Sequence, residues 1–122
     1  MSLLQWLKKV FGENQRAAVH YPDDRHSPLV RKRLRFSGLV QGIGFRYEAK
    51  YTAEQLDLVG WAKNESDGTV VVEAEGKEVC IDEFLRVIQS VPRFHITEIQ
   101  AEDLPVSGVE TSFRGAWIPA RG

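Results

Sequence analysis

The chain has 122 residues, 43% of them hydrophobic and 27% charged, and its formal net charge is −1 at pH 7. This length predicts one domain with its own hydrophobic core, and the small net charge excludes a general attraction to nucleic acid or acidic membranes. The single cysteine, Cys80, excludes an intramolecular disulfide framework and is typical of a cytoplasmic protein. Any anion-binding site must therefore be local.

Residues 2–12 carry apolar side chains on one broad face, with Lys8 and Lys9 on the other, which predicts a short amphipathic helix. We interpret it as a helix packed on its own domain, as in a monomer, or on a neighbour, as in a domain-swapped oligomer. Both are favoured over contact with a membrane surface, because the helix is short and has few charges.

Residues 13–29 contain two prolines and no hydrophobic period, which indicates a linker. Residues 1–29 are thus predicted to be an N-terminal extension of helix and linker. His20, Asp23, Asp24 and His26 lie in it, and a solvated linker is favoured over a metal site because no helical spacing holds these side chains together.

From residue 30 the patterns alternate between strand and helix. Strands are predicted over 30–37, 58–65, 69–76, 95–104 and 109–117, with helices over 45–58 and 77–92. The order βαββαβ plus a last strand predicts an α+β, ferredoxin-like sandwich: an antiparallel sheet with both helices on one face and a C-terminal edge strand. The domain is expected to span 30–117, followed by a tail over 118–122.

The stretch GLVQGIGFR, residues 38–46, joins the first strand to the first helix. Gly38, Gly42 and Gly44 allow turn conformations closed to other residues and let a ligand approach bare N–H groups. Arg46 follows in the first helical turn, where free N–H groups and the helix dipole already favour an anion. Its guanidinium can bind two phosphate oxygens, so the loop predicts a phosphate site.

A second segment, GWAKNESDGTVVVEAEG at residues 60–76, forms a predicted hairpin with Asn64 just before its turn. Together with VQGIGFR, the pattern GWAKNxxDGxVxxxxxG resembles the acylphosphatase family over roughly residues 30–115. The resemblance implies a sheet ordered 4-1-3-2-5 and hydrolysis of acyl phosphates to a carboxylate and inorganic phosphate. In this reaction Arg46 and the loop amides are expected to take the place of Mg²⁺, so neither metal nor cofactor is expected, and no nucleic-acid partner is expected either.

The resemblance further implies two catalytic residues, Arg46 on the phosphoryl group and Asn64 on the attacking water. The phosphate is expected to be bound by the backbone of Val40, Gln41, Gly42, Ile43, Gly44, Phe45 and Arg46. The alternative is a phosphate-binding module of the same fold that is non-catalytic or specialised for carbamoyl phosphate. Chains of this family joined to carbamoyl-transfer machinery carry further domains, so the free-standing hydrolase is favoured.

Other residues receive structural interpretations. Gln41 is expected to brace the loop, and Trp61 and Phe45 to lie in the core, whereas no histidine is given a catalytic role. A βαββαβ sheet also occurs in RNA-recognition modules, but the third strand here has no aromatic residue to stack on bases. Arg33 and Arg35 are instead expected to pair with Glu73 and Glu75 across the sheet.

Overall fold

The computed structural model describes Ser2 and residues 17–115, so the predicted helix over 2–12, apart from Ser2, and the tail over 118–122 lie outside the described part. The described chain forms five strands and two helices. In order they are β1 (Leu29–Leu39), α1 (Phe45–Gln55), β2 (Val59–Asn64), β3 (Val70–Lys77), α2 (Glu78–Gln89), β4 (His95–Leu104) and β5 (Phe113–Arg114). In these residues no helix has the length and apolar character needed to cross a membrane.

The strands form one sheet in the order β4-β1-β3-β2-β5, which confirms the predicted topology. The first four strands pair antiparallel, but β2 and β5 pair parallel through Gly60 with Phe113 and Trp61 with Arg114. The predicted antiparallel sheet is thus confirmed for β1 to β4, and the predicted C-terminal edge strand, β5, joins it in the parallel direction. The reason is chain direction: β5 runs opposite to β4, which itself runs opposite to β1 and β2.

Both helices pack on one face of the sheet, where the core lies. In β1, Leu34 and Phe36 are fully buried. The helical spacing of the sequence predicts that one stripe of α1 and its C-cap faces inward, and all of its residues are buried: Phe45, Ala49, Thr52, Ala53 and Leu56. Three aromatic rings pack together in this core. The ring centroid of Phe45, the first residue of α1, lies 4.9 Å from that of Phe36 in β1 and 4.7 Å from that of Phe94, which lies between α2 and β4. The sequence pattern thus correctly predicted the inward face of α1, and its first turn is anchored in the core.

The opposite face of the sheet carries an ion network around Arg31, whose side chain is only 8% exposed. Arg31 contacts Glu73 at 2.9 Å, Glu75 at 3.1 Å and Glu110 at 2.6 Å, while Arg33 contacts Glu73 at 2.7 Å. Arg33 and Arg35 were expected to face Glu73 and Glu75. Arg33 does face Glu73, but the expectation was wrong for Arg35, since the register places Glu75 opposite Arg31.

Arg35 instead lies opposite Val71 and donates to the Thr69 hydroxyl at 3.0 Å. Trp61 is also on this face, opposite Glu73, and is half-buried. Its prediction as a core residue was wrong, because in β2 the neighbouring Ala62 points to the helices. Phe45, by contrast, is a core residue as predicted.

The chain from residue 17 to β1 lies against α2. The Ala17 N–H donates to the Ser90 hydroxyl at 2.8 Å, the His20 N–H donates to Glu83 at 2.9 Å, and Arg86 donates to the Ala18 carbonyl at 3.0 Å. The predicted linker therefore makes defined contacts from residue 17 onward. Its sequence has no period that would reveal them, because they run through backbone groups.

Helix α1 ends in a Schellman motif built on an aspartate. The Leu58 N–H donates to the Ala53 carbonyl at 3.0 Å and the Asp57 N–H to the Glu54 carbonyl at 3.3 Å, with Asp57 at φ 55°. A left-handed conformation costs a residue with a Cβ more than it costs glycine. We expect Asp57→Gly to raise the free energy of unfolding, measured in urea, by about 0.5–1 kcal/mol.

A matched control is Asp82→Gly, on the exposed side of α2. Glycine there lies inside a helix and should lower the free energy of unfolding by about 0.5 kcal/mol. Equal effects of the two substitutions would contradict the assignment of strain to Asp57.

Candidate active site

The loop from Val40 to Gly44 is held at both ends by the core. Val40, the first residue of the loop, is fully buried, and Phe45, the residue that follows the loop, is almost fully buried. Between them, Ile43 is partly buried and packs against the core. Gly42 and Gly44 are exposed. The loop therefore has fixed ends and presents its glycine backbone to solvent.

Gly44 is the N-cap of α1, in the left-handed conformation with φ 85° and ψ 18°. Gly42 has φ 79°. No side chain caps the helix, so the N–H groups of its first turn have no side-chain acceptor among the described residues. Such N–H groups and the positive end of the helix dipole form an anion-binding surface.

Arg46 is the second residue of α1. Its Nη1 atom is buried and has no hydrogen-bond partner within residues 17–115. A buried guanidinium donor without an acceptor is costly, and a cation at a helix N-terminus is mildly unfavourable. Both costs are removed by an anion between Arg46 and the first-turn N–H groups.

Gln41 ties the loop to the β2–β3 hairpin. Its Nε2 atom donates to the Glu65 carbonyl at 2.7 Å and to the Thr69 carbonyl at 2.9 Å. On the other side of the turn, the Thr69 hydroxyl and N–H donate to Asp67 and hold the pKa of Asp67 below its usual value. The side chain of Gln41 is thus used as a brace that fixes the hairpin against the loop.

Asn64 is the last residue of β2 and is half-buried. It lies opposite Val70, which lies opposite Phe36 near the end of β1, so the loop and Asn64 occupy the same end of the sheet. Alternation with Ala62 puts the Asn64 side chain on the helix face. Its carboxamide makes no hydrogen bond to any residue from 17 to 115.

Arg93 is a site residue that the sequence did not reveal. It lies between α2 and β4, and its Nε atom donates to the Ile43 carbonyl of the loop at 2.8 Å. Its Nη2 atom lies 3.3 Å from the Glu48 carboxylate in the first turn of α1. A single arginine after Val91 and Pro92 fits no pattern, so a single sequence carries no signal for this contact.

The residues given no catalytic role have side chains that are exposed or bond elsewhere. His95 begins β4 and is exposed, opposite Leu39. The linker carboxylates are engaged locally, Asp23 by Arg25 at 2.7 Å and Asp24 by the Tyr21 hydroxyl at 2.9 Å.

Known proteins resemble this chain in sequence and in fold. The sequence profile of the acylphosphatase family matches residues 32–115. An acylphosphatase of Clostridium perfringens strain SM101 is 40% identical over 86 residues, covering 70% of this chain and 97% of that protein. The crystal structure of acylphosphatase from Bacillus subtilis is 30% identical, with a TM-score of 0.67, and the match covers 72% of this chain and 99% of that one.

The crystal structure of full-length HypF in the phosphate- and nucleotide-bound form is also similar, at 29% identity and a TM-score of 0.66. That match covers 75% of this chain but 12% of the HypF chain. The chain belongs to the acylphosphatase family. The function that these likenesses support is that of an acylphosphatase, an enzyme of the hydrolase class.

Proposed function

We propose that the protein hydrolyses acyl phosphates, R–CO–O–PO₃²⁻, with the loop binding the phosphoryl group, Arg46 neutralising it and Asn64 orienting the attacking water. The observation that carries this proposal is the buried Nη1 of Arg46, which has no hydrogen-bond partner among residues 17–115 and lies in the first turn of a helix that no side chain in this range caps. The N–H groups from Val40 to Arg46 supply further donors. Gln41 supports the proposal by tying this loop to the hairpin that ends β2.

The reaction needs little covalent help from the protein. The water oxygen forms a bond to phosphorus while the bond from phosphorus to the carboxylate oxygen breaks, and one water proton passes to a phosphoryl oxygen. The products are a carboxylate and inorganic phosphate. Because a carboxylate is a weak base, it leaves without a strong general acid, and positioning and charge neutralisation dominate the rate.

Arg46 and the loop amides supply the positive charge that Mg²⁺ supplies in many phosphoryl-transfer sites. We therefore expect hydrolysis to continue in the presence of a chelator. The decisive experiment is release of phosphate from benzoyl phosphate in EDTA, compared with buffer alone. If the folded protein is no faster than buffer, the proposed hydrolysis is wrong.

Asn64 is expected to act on the water rather than on the phosphate. Its carboxamide oxygen accepts a hydrogen bond and its NH₂ group donates one, without titrating. We expect Asn64→Ala to lower kcat by roughly 10²-fold, the size associated with a misplaced reactant, while inorganic phosphate inhibits as in the wild type. Gln100→Ala, which removes an exposed carboxamide from β4, is the control and should leave kcat unchanged.

The alternative is a phosphate-binding module that is non-catalytic or specialised for carbamoyl phosphate. It has less support, since the acylphosphatase of Clostridium perfringens is 40% identical to this chain over the matched residues, whereas HypF is 29% identical. A rate with carbamoyl phosphate well above that with benzoyl phosphate would reverse this preference. We place the activity in the cytoplasm, an assignment supported by the buried free thiol of Cys80.

A further inference from the structure

We propose that Arg93 is a positioning residue that fixes the orientation of the Ile43–Gly44 peptide group and thereby aims one amide of the phosphate-binding loop. This role rests on the proposed function of the loop. Arg93 lies outside the loop, in the turn between α2 and β4, so it links that turn to the site.

The guanidinium of Arg93 spans the start of α1. Its Nε atom binds the Ile43 carbonyl at 2.8 Å, and its Nη2 atom reaches Glu48, one turn into the helix, at 3.3 Å. A Cβ atom added at Gly44 would lie 3.3 Å from Nη2. The guanidinium therefore covers the Ile43–Gly44 peptide at contact distance.

Arg93 is itself held in place by the core. Its guanidinium carbon lies 4.8 Å from the ring centroid of Phe94, a buried residue whose ring packs on Phe45. A guanidinium over a ring is attracted by the ring's negative face. The position of the donor is thus set by the same aromatic cluster that anchors the first residue of α1.

The planar trans peptide converts this contact into an orientation of the loop. In such a peptide the carbonyl and the next N–H point in opposite directions. Holding the Ile43 carbonyl toward Arg93 therefore turns the Gly44 N–H the other way, away from Arg93. Gly44 has little steric resistance to a rotated peptide, so without this bond the amide can turn over at low cost.

We expect Arg93 to affect phosphate binding through the orientation of the peptide more than through its charge, because that charge is already paired with Glu48. Arg93→Met keeps an unbranched apolar stem against Phe94 but removes every donor. We expect it to weaken binding of inorganic phosphate, measured by calorimetry, about tenfold, the loss typical of one well-placed hydrogen bond to a charged group. Arg93→Lys keeps a charged nitrogen that can donate to the Ile43 carbonyl but lacks the planar fork, and phosphate binding should weaken about threefold.

Two further measurements separate positioning from general stability. The ¹⁵N chemical shift of the Gly44 amide should move in Arg93→Met, and kcat/KM for benzoyl phosphate should fall with phosphate affinity. Arg86→Met removes an arginine of α2 that is likewise paired with a glutamate, Glu83. It should change neither the Gly44 amide shift nor kcat/KM.

The outcomes are distinct. If the wild type binds phosphate and hydrolyses benzoyl phosphate, and both Arg93 variants bind phosphate equally well, the positioning role is overturned and the proposed function stands. If the wild type neither binds phosphate nor hydrolyses benzoyl phosphate, both proposals fail. Graded loss through Arg93→Lys to Arg93→Met, with a shifted Gly44 amide, supports the role.

Discussion

Replacing Arg46 with alanine is expected to lower kcat/KM for benzoyl phosphate by roughly 10³-fold or more, the range found for arginines that neutralise a transferring phosphoryl group. This corresponds to about 4 kcal/mol of lost transition-state stabilisation. The fold should persist, because the substitution removes a cation from a helix N-terminus and a buried donor that has no partner in the described part of the chain. Initial-rate kinetics and circular dichroism on the same samples test both parts.

Binding and catalysis by Arg46 can be separated by heating the protein with inorganic phosphate. A ligand that binds only the folded state raises the melting temperature, so phosphate should raise Tm in the wild type but not in Arg46→Ala. Arg46→Lys keeps a charge without the planar fork and should recover only part of the rate. Wild-type activity in either variant would disprove the assignment of Arg46 to the phosphoryl group.

Replacing Arg31 with methionine is expected to lower the free energy of unfolding by about 3 kcal/mol, near the low end for breaking a buried ion pair by removal of one partner. The loss should stay near this limit because Arg33 still contacts Glu73, and Ser107 and Gly108 still donate to Glu75. Urea denaturation measures it. Arg25→Met, which removes an arginine that is 78% exposed, should leave the stability unchanged.

This loss should also depend on pH. Burial raises the pKa of Glu75, but donation from the Ser107 and Gly108 N–H groups and from Arg31 outweighs it, so the pKa of Glu75 lies below its usual value. A carboxylate with a lowered folded-state pKa stabilises the protein at neutral pH and loses that stabilisation as the pH falls through its acidic range. The stability difference between wild type and Arg31→Met should therefore shrink on acidification; a constant difference would exclude Glu75 as the coupled group.

The fold was predictable because hydrophobic spacing is strong in the elements that form its core. The alternation of apolar and charged residues in β1 and the apolar stripe of α1 predicted which face of each element points to the core. The family resemblance implied the strand order. Register was harder: strands show which residues share a face but not which neighbour lies opposite. The expectation that Arg33 and Arg35 face Glu73 and Glu75 was right for Arg33 and Glu73, but it missed Arg31, which is buried on that face and lies opposite Glu75.

The sequence predicted those site residues whose side-chain type suggests a chemical role. It did not predict those whose role depends on where the fold places them. Glycines before Arg46, and Asn64 before a turn, form a pattern that indicates a phosphate site, and their catalytic roles stay predictions. Trp61 was assigned to the core because an aromatic residue in a strand suggests burial, whichever face of the sheet it lies on. Arg93 bonds to a backbone carbonyl 50 residues away, and a carbonyl has no sequence identity to detect.

The double contact of Gln41 has a consequence for how the protein loses activity. The carboxamide of Gln41 donates to carbonyls on both sides of the hairpin turn, which lie 24 and 28 residues further along the chain. The loop and the β2–β3 hairpin must therefore both be folded for this contact to form. A partly folded chain with either segment loose lacks the assembled site. Catalytic competence is thereby tied to the cooperativity of the whole domain, and enzyme activity and secondary structure should vanish in a single transition.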